Sequence, residues 1–148
     1  MKTNRSSSVI RNTFLALVST VVFAGLANAQ GSAYKGQFTL PFEAKWGNAT
    51  LPAGDYTFTL DSAALPAMVR IETTDRYIGL VIAQDTNASH ASKGNELIVT
   101  RSGGYARISA LHLATLATDF EYATPKAERQ VLASAPKLIQ SLPIHNGK

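Results

Sequence analysis

Between Gln37 and Trp46 the chain alternates residue by residue: Phe38, Leu40, Phe42, Ala44 and Trp46 fall on one side, and Gln37, Thr39, Pro41, Glu43 and Lys45 on the other. A period of two predicts a strand with one buried face. Pro41 has no N–H to give a ladder, which places this strand, or that part of it, at a sheet edge. The rhythm resumes with Tyr56, Phe58 and Leu60 inward and Asp55, Thr57, Thr59 and Asp61 toward water. Residues 68–73 predict a short strand with Val69 and Ile71 inside and Arg70 and Glu72 outside. Residues 77–84 are nearly all apolar, which predicts a central strand covered on both faces. Residues 96–101, 105–113 and 116–123 continue the series.

Turn chemistry separates these runs. Trp46-Gly47-Asn48, Leu51-Pro52-Ala53-Gly54-Asp55 and Thr74-Asp75-Arg76 read as reversals, and Ser102-Gly103-Gly104 as a hairpin turn. Residues 85–95 are the longest polar loop. Past Ala123, three prolines (Pro125, Pro136, Pro143) break the chain. Residues 126–135 match two or three helical turns weakly, and 138–144 fit either a final strand or an extended tail. The pattern predicts one all-β domain over residues 37–124, a small antiparallel sandwich or barrel of seven or eight strands, followed by an irregular tail over 125–148.

The N-terminus changes the compartment. Lys2, Arg5 and Arg11 precede an uncharged, mostly apolar stretch over 13–26, and Ala27-Asn28-Ala29 follows. Basic, apolar and small-residue regions in that order form a signal peptide, residues 1–29, cleaved after Ala29. The apolar stretch is shorter than the roughly 20 residues of a membrane span, so no span is expected after cleavage. The expected location is periplasmic or extracellular, with residues 30–36 a flexible mature N-terminus. Three of the 14 basic residues leave with the leader, so 11 remain against 10 acidic ones. A near-neutral chain gives no ground for nucleic-acid binding. There is no cysteine, which excludes disulfides, lipoprotein anchoring and thiolate-held zinc.

Candidate chemistry is sparse. His112 shares a strand face with Ile108 and Ala110, whereas His90 lies in the polar loop and His145 in the tail, with no metal-ligand spacing among them. Asp55 with Asp61, and Asp119 with Glu121, share outer strand faces that ordinarily are simply solvated. Arg70, Arg101 and Arg107 form a basic stripe only if their strands adjoin. Ser102 is explained by its hairpin, and no nucleophile elbow, phosphate loop or dinucleotide fingerprint occurs. Trp46, at a strand end beside a glycine turn, and nearby Tyr56 are the candidate surface-recognition residues, since a half-exposed indole stacks on sugars or partners. No catalytic, metal or cofactor-binding residue is assigned.

The run Phe38-Thr-Leu-Pro-Phe-Glu-Ala-Lys-Trp-Gly-Asn-Ala-Thr-Leu-Pro-Ala-Gly-Asp-Tyr-Thr-Phe58 and the ending Leu138-Ile-Gln-Ser-Leu-Pro-Ile144 resemble segments of small secreted bacterial β-domain proteins. The resemblance implies a β-rich exported domain and carries no activity, ligand or catalytic residue. The expected function is therefore a non-enzymatic domain that binds or scaffolds an envelope protein or glycan. A small-ligand or carbohydrate carrier is the alternative, and a hydrolase built on His112 and a carboxylate is a more distant one.

Overall fold

The computed structural model describes residues 31–89, 94–133 and 135–147. The expected leader and cleavage site, and His90, lie outside the described residues. The chain is mostly β, in two sheets that contribute to a single core. The first sheet holds β1 (Tyr34–Leu40), β4 (Gly54–Leu60), β5 (Met68–Glu72), β6 (Tyr77–Ile82) and β12 (His145–Asn146), in the order β12-β1-β4-β5-β6. The second runs β11-β8-β9-β10-β7, from β7 (Asp85–Ala88), β8 (Glu96–Ser102), β9 (Tyr105–Leu113), β10 (Thr118–Glu121) and β11 (Leu138–Pro143). A short hairpin of β2 (Ala44–Trp46) and β3 (Ala49–Leu51) joins this sheet through β2 beside β9. That contact is parallel, Lys45 opposite Arg107, so the assembly is not purely antiparallel.

The alternation over 37–46 is real but belongs to two strands in different sheets. Phe38 and Leu40 end β1, Ala44 and Trp46 form β2, and all four are buried. Pro41, unable to donate, marks the crossing between the sheets. The first strand also starts earlier than expected, because Tyr34 packs on Phe58 and its hydroxyl donates to Asn146 at 2.8 Å, drawing residues 34–36 out of the expected flexible stretch. The turns follow their chemistry. Gly47 takes a positive φ of 59° between Trp46 and Ala49, and Gly103 and Gly104 take 56° and 83° between Ser102 and Tyr105, the pattern of a tight two-residue hairpin.

Gly36 answers a different need. It pairs with Phe58 across the ladder, and a Cβ there would lie 2.6 Å from the Phe58 ring and 2.8 Å from Ile144. The ring occupies the space the glycine leaves. Gly36→Ala is expected to cost about 1–3 kcal/mol through overpacking, read as a lower urea midpoint with an unchanged slope.

Two expectations are corrected. Residues 77–82 are not a central strand: β6 is an edge, with β5 as its hydrogen-bonded neighbour, and Leu80 and Ile82 are 49% and 54% exposed. A continuous apolar run marks a strand covered on both faces only when something covers the outer one. Residues 125–148 are not an irregular tail. A helix, α1 (Lys126–Ala133), is followed by β11, which pairs with β8 over six registers, and by β12, which pairs with β1. The prolines sit at element boundaries: Pro125 before α1, with its carbonyl accepting from the Glu128 and Arg129 amides, and Pro143 at the end of β11. Ile144, buried between β11 and β12, carries the chain from one sheet to the other. The polar run after Gln84 also contains a strand, β7, paired with β10 at the far edge of its sheet.

Candidate functional site

Trp46 and Tyr56 do not form a surface platform. Trp46 is 0% exposed and sits edge-on to Phe38, Phe58 and Tyr122, with ring centroids 5.4–6.2 Å apart. Tyr56 is 5% exposed and stacks on Phe38, while its hydroxyl donates to the Pro52 carbonyl at 2.8 Å. The correction has a physical reason: the short β2–β3 hairpin folds inward over β6, so the indole at its turn becomes the centre of the aromatic core. Burial likewise pushes the neighbouring Tyr122 phenol far above its usual pKa.

His112 does meet a carboxylate. On β9 it lies directly opposite Asp119 of β10, and its Nδ1 contacts Asp119 Oδ1. The Ser89 hydroxyl is within 3.1 Å of Nδ1 and 3.3 Å of Nε2. A nucleophile–base–acid relay needs the acid on one ring nitrogen and the hydroxyl in line with the other. Here the hydroxyl straddles the two nitrogens, and the imidazole is 6% exposed. This is the geometry of a clamp joining β9, β10 and the end of β7. His112→Ala is expected to lower stability by about 1–3 kcal/mol and to leave turnover of esterase and amidase substrates unchanged. A hydrolytic rate lost with the imidazole would contradict the clamp.

The other candidate carboxylates, Asp55, Asp61 and Glu121, are engaged. Asp55 accepts from Thr39 Oγ1 at 2.5 Å, Asp61 from the Met68 amide at 2.6 Å, and Glu121 from Asn87 Nδ2 at 2.9 Å. Ser102 donates to the Ala135 carbonyl at 3.1 Å.

The arginines do not form a stripe. Arg70 is exposed on the first sheet, Arg101 lies 4.1 Å over the Phe42 ring, and Arg107 is 1% exposed. Arg107 starts on the outer face of the second sheet, but α1 covers it. Its NH1 pairs with Glu128 Oε2, and its NH2 donates to the carbonyls of Ala123 at 2.8 Å and Gly47 at 3.3 Å. Lys45 closes the cluster on Glu128 Oε1 at 3.1 Å. Partial burial works to raise the Glu128 carboxyl, but the donors and charges around it (Tyr105, Lys45 and Arg107) outweigh this and hold it below the usual carboxylate range. The same contact raises Lys45. Nothing in the sequence paired Arg107 with Glu128, because the helix that brings them together was a weak signal.

The open surface lies at β6. Met68 stands opposite Ile82 across the β5–β6 ladder, Leu80 is on the same outer face, and Tyr77 and Leu65 are exposed at its ends. Alongside runs a groove of about 300 Å³, lined in part by Leu80, Ile82, Asn48, Gln84, Tyr122 and Pro125. Sequence reasoning located the apolar run and missed its exposure. Comparison of the chain with protein-family models, curated proteins and solved structures returns no match.

Proposed function

We propose that the chain is an exported, non-enzymatic β-sandwich domain of the cell envelope that binds an extended segment of another envelope protein as an added strand on β6. One observation carries the reading: an edge strand, Tyr77-Ile-Gly-Leu-Val-Ile82, without a charge or a proline, presents exposed Leu80 and Ile82 beside a groove. Edge strands are ordinarily blunted by lysine, proline or bulges, because their unpaired amides template another chain; the one irregularity of the β5–β6 ladder lies near the start of β6, opposite Ile71 and Glu72, and leaves residues 79–82 in regular register. A strand-adding partner gains affinity from main-chain hydrogen bonds and specificity from pockets for alternate side chains. The groove is such a pocket, and the apolar outer face supplies burial of about 25 cal/mol per Å². Arg70, opposite Leu80 in the ladder, favours an acidic residue at the rim of the partner segment.

The test is a photocrosslinking residue at position 82 in envelope preparations, combined with amide hydrogen exchange on the adduct. The expected result is a discrete heteromeric adduct in which β6 amides exchange at least about tenfold more slowly than in the free protein, and which Leu80→Glu abolishes. An adduct of two copies of this chain, β6 amides exchanging at the free rate, or no adduct would each overturn the proposal.

A further inference from the structure

On the opposite side of Arg107 the helix does not close down fully on the sheet. Between α1 and the outer face of β8, β9 and β11 lies a cleft of about 580 Å³, inside the range of 300–1,000 Å³ usual for small-molecule sites. Its lining has two characters. Leu132, Ala133 and Ile139 are apolar, and Ile139 is exposed although it lies in a strand. Arg107, Arg129 and Lys137 are cationic, with the hydroxyls of Thr100, Ser109 and Thr124 among them.

The charge is not internally cancelled. Glu128 is the acidic side chain of this cluster, and both of its oxygens are already occupied, one by Arg107 and one by Lys45. Those three groups together retain one positive charge, to which Arg129 and Lys137 add. Arg107 also keeps an unspent donor, since its Nε–H is buried without an acceptor although its two terminal nitrogens are bonded. A buried donor without a partner is costly, and the Nε–H of a guanidinium suits a carboxylate or phosphate oxygen.

We infer that this cleft binds a single-chain amphiphile with an anionic head, carboxylate or monophosphate, held by Arg107, Arg129 and Lys137, with its apolar chain along Leu132 and Ile139. Arg107 and Thr124 also line the groove beside β6, so the two sites adjoin there, but Lys137 and Ile139 line this cleft and Ile82 lines that groove, and variants at these positions let the two readings fail separately.

The experiment is calorimetric titration of the full folded domain with dodecanoate and with dodecyl phosphate below their micelle concentrations, with dodecanol and inorganic phosphate as controls. Saturable one-to-one binding of dodecanoate, of dodecyl phosphate or of both is expected, and which of them binds identifies the headgroup. Dodecanol and inorganic phosphate are each expected to bind at least about tenfold more weakly, because each lacks half of the recognition. Lys137→Glu and Ile139→Glu, two exposed positions whose variants are checked for an unchanged melt, are each expected to weaken binding about tenfold or more, and Ile82→Glu on β6 to leave it unchanged. Absence of saturable binding, dodecanol binding as tightly as the acids, or loss of binding in Ile82→Glu with retention in Lys137→Glu would overturn the assignment.

Discussion

The fluorescence of the folded protein is expected to be blue-shifted and shielded from acrylamide, because its single tryptophan, Trp46, has no exposed surface and is packed among Phe38, Phe58 and Tyr122. Unfolding in urea should shift the emission red in one cooperative step. Trp46→Ala removes the largest fully buried side chain of the domain and is expected to cost about 3–5 kcal/mol. Aromatic edge contacts contribute about 0.5–1.5 kcal/mol each beyond area burial, and three are lost together, so the upper end of that range is expected. Trp46→Phe keeps part of the packing and should cost distinctly less. The two chemical midpoints, measured with far-ultraviolet circular dichroism since the fluorophore is gone, check the order. An emission maximum like that of a free indole would place Trp46 at the surface and remove the centre of the core.

That result bears on what the sequence made legible. Alternation found Phe38 and Leu40 of β1, though not Tyr34 and Gly36 before them, and the inward residues of β2, β4 and β5, because period two is a local property that survives wherever the strand is placed. Turn chemistry found the reversals at Gly47 and Gly103-Gly104, whose positive φ values only glycine adopts without strain. What alternation does not carry is which sheet a strand joins. Phe38 and Trp46 share one rhythm yet belong to different sheets, and the proline between them marks the crossing rather than an edge. Residues 77–82 failed for the complementary reason. Apolarity reports a preference for burial, and at β6 Leu80 and Ile82 on the outer face stay exposed among the described residues. The clamp of His112 and Asp119 depends on register between β9 and β10, and the salt-bridged cluster on the docking of α1, so neither was legible from spacing along the chain.

The second large effect is expected at Glu128. Its carboxylate neutralises a guanidinium that is 1% exposed, so Glu128→Ala leaves the Arg107 charge buried without its counter-ion. Breaking a buried pair from one side costs about 3–5 kcal/mol, and the partial exposure of Glu128 places this case at the lower end. Arg107→Met removes the buried charge together with its desolvation cost and keeps most of the volume, so it should be the milder change. In the Arg107→Met background, Glu128→Ala should then cost under about 1 kcal/mol, which leaves a coupling energy near the top of the range seen for residues in direct contact. The pH dependence has a fixed sign. The folded-state carboxyl lies below its unfolded value of 4.5, so its contribution is complete above that pH and is lost as pH falls through the lower, folded value. The melting midpoint of the parent protein should therefore drop more steeply in that acid window than that of Glu128→Gln, which has no proton to take up. Parallel curves for the two proteins, or equal costs for Glu128→Ala with and without Arg107, would mean that α1 is held by its apolar contacts at Leu132 and not by the charge beneath it.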